Sequence, residues 1–186
     1  MAPILGIWAS SKAVATDTGA MFPLQVITVG AAGASSVTFT NIPSTYAHLQ
    51  IRGISRNSAN QDTLRVRLNS DTGSNYARHL LRGDGSAVAS SAVTSGTLMG
   101  SNAVPASSTT ASVFAGTIID ILDYANTNKY KTMRGLGGYD ANGAGIVTFY
   151  SGLWQSTSAV TSVTLLFDSD NFVQYSQFAL YGIKGA

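Results

Sequence analysis

Apolar and polar residues alternate in short runs along most of this chain. The clearest run is residues 64–68, in which leucine or valine alternates with arginine. A period of two places the apolar side chains on one face of a β-strand and the arginines on the other. The last segment, residues 171–183, is also typical of a strand, because it is rich in aromatic and β-branched residues and contains no Pro.

Turn-forming residues such as Gly30, Pro43, Gly85 and Asn126 separate these runs at short intervals. About nine or ten strands with turns roughly every 8–12 residues, and no convincing helical period, predict an all-β sandwich or barrel. We predict a single β-sandwich of jelly-roll type, a choice that rests mainly on the number of strands. Residues 86–112 consist mostly of small residues, and they predict either one thin strand or a long surface loop.

The chain of 186 residues is long enough for one domain with a filled core. We assign residues 1–20 to an extended N-terminal arm and residues 21–186 to the sandwich. The arm carries a short apolar patch formed by Ile4, Leu5, Ile7 and Trp8. The patch either folds back on the sandwich or binds a partner.

No basic residue precedes this patch, and it is too short for a signal peptide. No run approaches the ~18 apolar residues that a membrane-spanning helix needs. We therefore expect a soluble protein without a recognisable secretion signal and without a membrane partner.

The chain carries few charges. Charged residues make up 11% of the sequence, all nine acidic residues are Asp, and the net charge is +2. So small a net charge does not indicate a nucleic-acid partner. Weak repulsion between copies suits a protein that works in a crowded assembly. The absence of Cys excludes disulfides and Cys-based metal sites.

Candidate catalytic residues are few, and none forms a convincing set. His48 and His79 are the only histidines, and both lie inside strand patterns. Asp120 and Asp123 have an odd spacing, so on one strand they face opposite sides of the sheet. The sequence therefore predicts no catalytic residue, no cofactor and a protein that is not an enzyme.

Two short motifs suggest binding. The segment Asp168–Asn171 resembles the start of a calcium loop but lacks the following Gly and a distal Glu, so a turn between strands is favoured over a metal site. Arg82-Gly83-Asp84 is the tripeptide that integrins recognise, and Gly85 beside it favours a Gly-rich turn.

Six of the seven arginines cluster between positions 52 and 82, namely Arg52, Arg56, Arg65, Arg67, Arg78 and Arg82. Arg65 and Arg67 share a face, and if neighbouring strands pair with theirs, Arg52 and others join it to form a basic sheet face. That face is either a solvated surface or a docking surface for an acidic partner, to which Arg makes bidentate contacts.

Several segments resemble, in order, a widespread group of tailed-bacteriophage virion proteins. They cover most of the chain from about residue 24, and they are residues 39–43, 46–52, 64–69, 71–76, 119–132, 151–154 and 178–184. The resemblance implies a virion location and a non-enzymatic structural role. It supplies no catalytic residues.

The resemblance leaves two roles open. One is a capsid decoration or cement protein, a homotrimer that docks on the major capsid protein through its arm or its basic sheet face. The other is a tail-fibre or head-fibre module that binds host-surface glycans through exposed aromatics such as Tyr139, Tyr150 or Trp154. Trp154 directly follows an alternating strand, which favours a place in the core or an interface over a sugar platform.

Overall fold

The structure is a computed structural model that describes residues 20–59 and 63–185. The apolar patch of the predicted arm lies outside these residues. The described chain contains twelve strands and no helix. They are β1 (Met21–Thr28), β2 (Ser36–Phe39), β3 (His48–Ser55), β4 (Thr63–Leu68), β5 (Tyr76–Gly83), β6 (Val88–Gly96), β7 (Met99–Ala103), β8 (Ala115–Leu122), β9 (Lys131–Asp140), β10 (Gly145–Trp154), β11 (Val163–Leu166) and β12 (Gln177–Ile183).

The strands form two antiparallel sheets that pack face to face. The large sheet has eight strands in the order β1-β12-β3-β8-β9-β10-β5-β6, and the small sheet has four in the order β2-β11-β4-β7. The predicted all-β sandwich is confirmed. We call the face of each sheet that points toward the other sheet its inner face, and the opposite one its outer face.

The core fills the space between the two inner faces. Alternate residues of each strand enter it, as Leu64, Val66 and Leu68 do from β4, where all three are fully buried. Aromatic rings close one end of the core, where Phe172 lies 4.5 Å from Phe167 and 5.4 Å from Phe178 between ring centroids. The period of two in the sequence therefore identified the core-facing positions of β4 correctly.

The low-complexity segment 86–112 is neither a loop nor a single strand. It contains two strands, β6 and β7, and every residue of β7 is buried. β7 lies against β9 and β10 of the large sheet. Its residues are Met, Gly, Ser, Asn and Ala, and mostly small side chains let two backbones approach closely. Small side chains give little hydrophobic pattern, which is why the sequence alone did not indicate a buried strand here.

A polar corner connects β4 to β5. The carboxylate of Asp71 accepts hydrogen bonds from the backbone N–H of Gly73 at 2.8 Å, from Asn75 Nδ2 at 2.9 Å and from Trp154 Nε1 at 2.7 Å. These bonds, that of Trp154 first, lower the pKa of Asp71. The Trp154 ring stacks on Tyr76 with centroids 6.4 Å apart, and burial raises the pKa of Tyr76 to about 12.

Two buried cations tie loops to the sandwich. Lys131 Nζ donates to the carbonyl oxygens of Asn126 at 2.6 Å, Lys129 at 2.9 Å and Thr157 at 3.1 Å. The Arg56 guanidinium donates to four carbonyl oxygens of the loop before β8, those of Ser107, Thr109, Thr110 and Val113. Both side chains stabilise backbone that no strand partner satisfies.

Candidate functional site

The structure separates the arginines that the sequence grouped. Arg65 and Arg67 lie on the outer face of the small sheet, because both belong to β4 opposite its buried residues. Arg52 lies on the outer face of the large sheet, because it belongs to β3. The prediction that these three residues share one basic face is wrong, since β3 and β4 are consecutive strands in different sheets.

The remaining arginines of the cluster are not part of one surface either. Arg56 is buried in the loop contacts described above. Arg65 forms an ion pair with Asp168 at 3.0 Å and donates to a carbonyl oxygen of β7. Burial lowers the pKa of Arg78, which donates to the Leu98 carbonyl, and Arg82 is exposed at the end of β5. These contacts favour structural roles over a shared docking face.

The candidate catalytic residues are distributed over separate places. His48 Nδ1 accepts the backbone N–H of Asp123 at 3.0 Å, and His79 lies on β5, four strands away in the large sheet. Asp123 also binds Lys129, and that hydrogen bond lowers the pKa of its carboxyl group. Asp120 is on the outer face of β8. Asp123 follows the end of β8 and lies in the next turn.

Within residues 20–59 and 63–185, no group of three His, Cys, Asp or Glu side chains lies close enough to hold a metal ion. Asp168 of the calcium-like segment is engaged by Arg65. The Arg82-Gly83-Asp84 tripeptide lies at the β5–β6 turn, where Asp84 Oδ1 accepts the backbone N–H groups of Ser86 at 3.0 Å and Ala87 at 2.8 Å.

Two of the three candidate sugar-binding aromatics are in the core. Tyr150 is 1% exposed and Trp154 is 3% exposed, so neither ring can stack on a ligand at the surface. Tyr150 lies directly over Gly135, where a Cβ atom would overlap its ring. Tyr139 is half-buried and lines a wide surface cavity.

That cavity is a wide trough on the outer face of the large sheet, with a volume of about 1010 Å³. Its floor is formed by β8, β9 and β10, from which Gly116, Ile118, Leu136, Gly138 and Val147 line it. Gly116 pairs with Gly138, so two neighbouring positions of the floor carry no side chain. The surrounding side chains therefore stand above this point, and we call the cavity the outer trough.

The two sides of the outer trough are built differently. On one side lie β3 and β12, with Arg52, Gln177 and Tyr181 at the rim. On the other side lie the β5–β6 and β9–β10 turns, with Asp84 and Asp140. The floor is apolar and the rim is polar, which is the usual composition of a binding site.

A row of exposed apolar side chains runs through the outer trough and beyond it. Ile118, Leu136, Phe149 and Leu81 are direct neighbours in register across β8, β9, β10 and β5. Their exposed fractions are 40%, 50%, 52% and 51%. Side chains directly opposite on adjacent strands are in contact distance, so the four form one continuous surface. We call it the apolar row.

Ile54 and Val147 flank the apolar row and are 50% and 57% exposed. Together the six side chains leave on the order of 500 Å² of apolar surface in water, which is within the range of the largest patch on a typical monomer, and such patches are often functional. The surface therefore favours a contact with another molecule.

A chain of polar contacts borders the apolar row. Arg52 Nε donates to Gln50 Oε1 at 2.8 Å, and Gln50 Nε2 donates to Asp120 Oδ1 at 2.8 Å. Arg134 Nε donates to the other oxygen of Asp120 at 3.0 Å. These contacts hold two guanidinium groups beside the apolar surface. The arrangement can bind and orient an apolar partner with polar edges, and it contains no nucleophile paired with a base.

Sequence reasoning missed the outer trough. One signal lies in residues 114–124, where apolar residues occupy both faces of the strand, a pattern that predicts a strand buried on both sides. Ile118 is instead exposed on the outer face. The glycines between positions 135 and 145 are a second signal, because side chains absent from an exposed sheet face leave a depression.

No family model, no curated protein and no solved structure matches this chain. The part of the chain that the structure describes contains no helix that could cross a membrane.

Proposed function

We propose that this chain is a non-enzymatic structural component of a tailed-phage virion, a capsid decoration protein that docks through its outer trough. The sequence resemblance to virion proteins supports the virion role. The observation that carries the docking site is the apolar row, a continuous apolar surface that the fold does not cover among the described residues. The low charge of the chain agrees with a structural role.

The proposal includes a jelly-roll topology. The small sheet has the four strands of one jelly-roll sheet, in the order β2-β11-β4-β7, and its edge strand β7 lies against β9 and β10 of the large sheet. A jelly roll has two four-stranded sheets built from two Greek keys, so in this interpretation the large sheet is the second one, extended by four strands that include the β5–β6 hairpin at its edge. This hairpin contributes Leu81 to the apolar row, and the turn within it contributes Asp84 to the outer trough.

The partner that fits the outer trough is another protein of the virion shell that presents a projecting apolar segment. A concave, apolar floor takes up a convex side-chain cluster, and the guanidinium groups of Arg52 and Arg134 at its border suit carboxylates around that cluster. The major capsid protein is the candidate that the resemblance implies. The N-terminal arm, with its apolar patch, is a second proposed contact.

The copy number of the chain in purified virions tests the decoration role. Quantitative mass spectrometry against the major capsid protein should give a ratio of one or a simple fraction. A handful of copies per particle would contradict decoration and would favour a tail or fibre location.

A variant that fills the outer trough tests the docking site. Gly116 faces the trough, and a Cβ atom added there would have no other atom within 4 Å, so Gly116→Val should fill the floor and leave the fold intact. Gly30 also has open space and lies in a loop away from the trough, so Gly30→Val is the matched control. Gly116→Val should reduce incorporation into particles at least tenfold, whereas Gly30→Val should not.

One observation favours glycan binding by a fibre module as the second candidate. The polar rim formed by Arg52, Gln177, Tyr181, Asp84 and Asp140 surrounds a trough large enough for several sugar rings. Planar polar side chains with a tyrosine ring are the groups that bind sugars. Binding of purified protein to host surface polysaccharide that is lost in Gly116→Val, with few copies per virion, would support this candidate over decoration.

A further inference from the structure

Among the described residues, the β5–β6 hairpin is poorly covered by the rest of the sandwich. The small sheet has half as many strands as the large sheet, and within the described chain β6 is the terminal strand of the large sheet. Almost every residue of β6 is exposed, on both faces of the strand. Leu81 and Val88 of this hairpin are 51% and 76% exposed. A two-stranded edge with both faces in water gains little from burial.

β6 is also the edge strand without the usual protection. β1, at the other edge of the large sheet, contains Pro23 and a register shift beside it. β2 has four residues, and β7 is buried. β6 has nine residues with no Pro and no charge, and a bulge against β5 affects only its part after Val93. An uncharged, regular edge is a template for another strand.

The sequence of β6 is compatible with pairing to itself. An antiparallel pair with Ser91 opposite Ser91 of a second copy places Ser90 opposite Ala92 and Ala89 opposite Val93. No pair in this register brings two charges together, and all the side chains are small or β-branched. A strand that pairs with its own copy about a two-fold axis forms a closed dimer, which is the commonest oligomer.

We propose that two copies of this chain associate through antiparallel β6–β6 pairing centred near Ser91, which joins their large sheets into one continuous sheet. A two-fold axis perpendicular to the sheet leaves both outer faces on the same side. If the proposed docking function holds, both outer troughs then meet one partner surface together. The pairing itself does not depend on that function.

A cysteine cross-link tests the register directly. The natural chain has no Cys, so Ser91→Cys introduces a single thiol. Opposite residues of an antiparallel pair have Cα atoms about 4.5–5.5 Å apart, which is within the range for a disulfide. The purified variant should form a two-chain species under mild oxidation, seen on a non-reducing gel. Ser74→Cys, at an exposed loop position, is the control and should not.

Light scattering of the full chain gives the second measurement. The wild type and Ser91→Thr should have the mass of two chains or an even multiple. Ser91→Lys, which places two ammonium groups opposite each other, should raise the dissociation constant at least tenfold and leave the far-ultraviolet circular dichroism spectrum unchanged. A single-chain or three-chain mass together with no cross-linking above the Ser74→Cys control overturns the proposal. Neither outcome depends on virion copy number.

Discussion

The polar corner at Asp71 should contribute substantially to stability, and replacing Asp71 with Asn measures that contribution. Its carboxylate accepts three hydrogen bonds, one of them from the indole N–H of Trp154. Asn keeps one acceptor oxygen and has an NH₂ group in place of the other. This NH₂ group is a donor, and it then faces N–H groups that are donors too. The corner therefore loses either the bond to Gly73 or the bonds to Asn75 and Trp154.

The expected magnitude follows from these contacts. A hydrogen bond to a charged group contributes about 1.5–3 kcal/mol, and a buried donor left unpaired costs about 1–3 kcal/mol. Trp154 is 3% exposed, so its N–H cannot turn to solvent. We expect Asp71→Asn to lower the free energy of unfolding by about 2–3 kcal/mol. For a chain of this size, that loss corresponds to a melting temperature roughly 4–12 °C lower.

Denaturant unfolding at pH 7, followed by circular dichroism, measures the loss. Asp168→Asn is the matched control, because the side chain of Asp168 is 52% exposed and its pair with Arg65 should contribute less than about 1 kcal/mol. In a Trp154→Phe background, Asp71→Asn should cost at least about 1 kcal/mol less, since the donor is already gone. An equal cost in both backgrounds would show that the Trp154 bond carries none of the effect.

The pH dependence supplies an independent check. Its hydrogen bonds lower the pKa of Asp71 in the folded state, so the unfolded chain takes up a proton first as the pH falls. The stabilisation is therefore complete above the ordinary pKa of about 3.9 and is lost as the pH falls through the lower folded value. The free energies of unfolding of Asp71→Asn and wild type should differ by a constant amount between pH 5 and 7, and the difference should shrink as the pH falls below about 3.9. A difference that does not shrink at all below the ordinary pKa of Asp would refute the reasoning.

Three further predictions concern single contacts. Gly135→Ala should destabilise the fold by about 1–3 kcal/mol because its Cβ overlaps the buried Tyr150 ring, whereas Gly116→Ala should be neutral in the same denaturation assay. Lys131→Met should cost about 1.5–3 kcal/mol. It should also abolish a rise in stability as the pH approaches about 10.4, because burial lowers the pKa of Lys131 in the folded state and the unfolded chain keeps its proton to a higher pH. Leu136→Ser should change the free energy of unfolding by less than about 0.5 kcal/mol while reducing binding of a hydrophobic dye; a large loss of stability would mean that this side chain is covered within the fold.

The sequence predicted the all-β class because the period of two is strong where one face of a strand is buried and the other is polar. β4 is the clearest case, with alternating Leu or Val and Arg. Prediction from the sequence failed where the contrast between a buried apolar face and a polar face is weak. β7 is wholly buried but carries small and polar residues, and its Asn102 lies in the interior, so no hydrophobic pattern identified it.

The arginine cluster shows a different limit. Closeness along the chain implied closeness in space, but β3 and β4 belong to opposite sheets, so Arg52 lies on the far side of the sandwich from Arg65 and Arg67. Which strands share a sheet depends on long-range pairing that no local pattern encodes. The same limit applies to the apolar row, whose four members come from four different strands.

The segments on which the proposed virion role rests include contacts that stabilise the fold. Residues 71–76 form the corner around Asp71, residues 119–132 include Lys131, and the segment 178–184 contains Gly182, where a Cβ atom would overlap the Tyr46 ring. These segments therefore bear mainly on the architecture of the fold. They bear on the docking partner only where a segment also contributes to the outer face.

The residue pattern of strand β8 differs from the exposure of its outer face in the fold. Its apolar residues on both faces are typical of a strand covered on both sides. The fold covers only the inner face and leaves Ile118 and its neighbours in the apolar row half exposed. A docking face needs apolar side chains that the fold itself leaves exposed, because the partner then buries them. The disagreement between the sequence pattern and the isolated fold is thus itself an argument for placing the contact on the outer face of the large sheet.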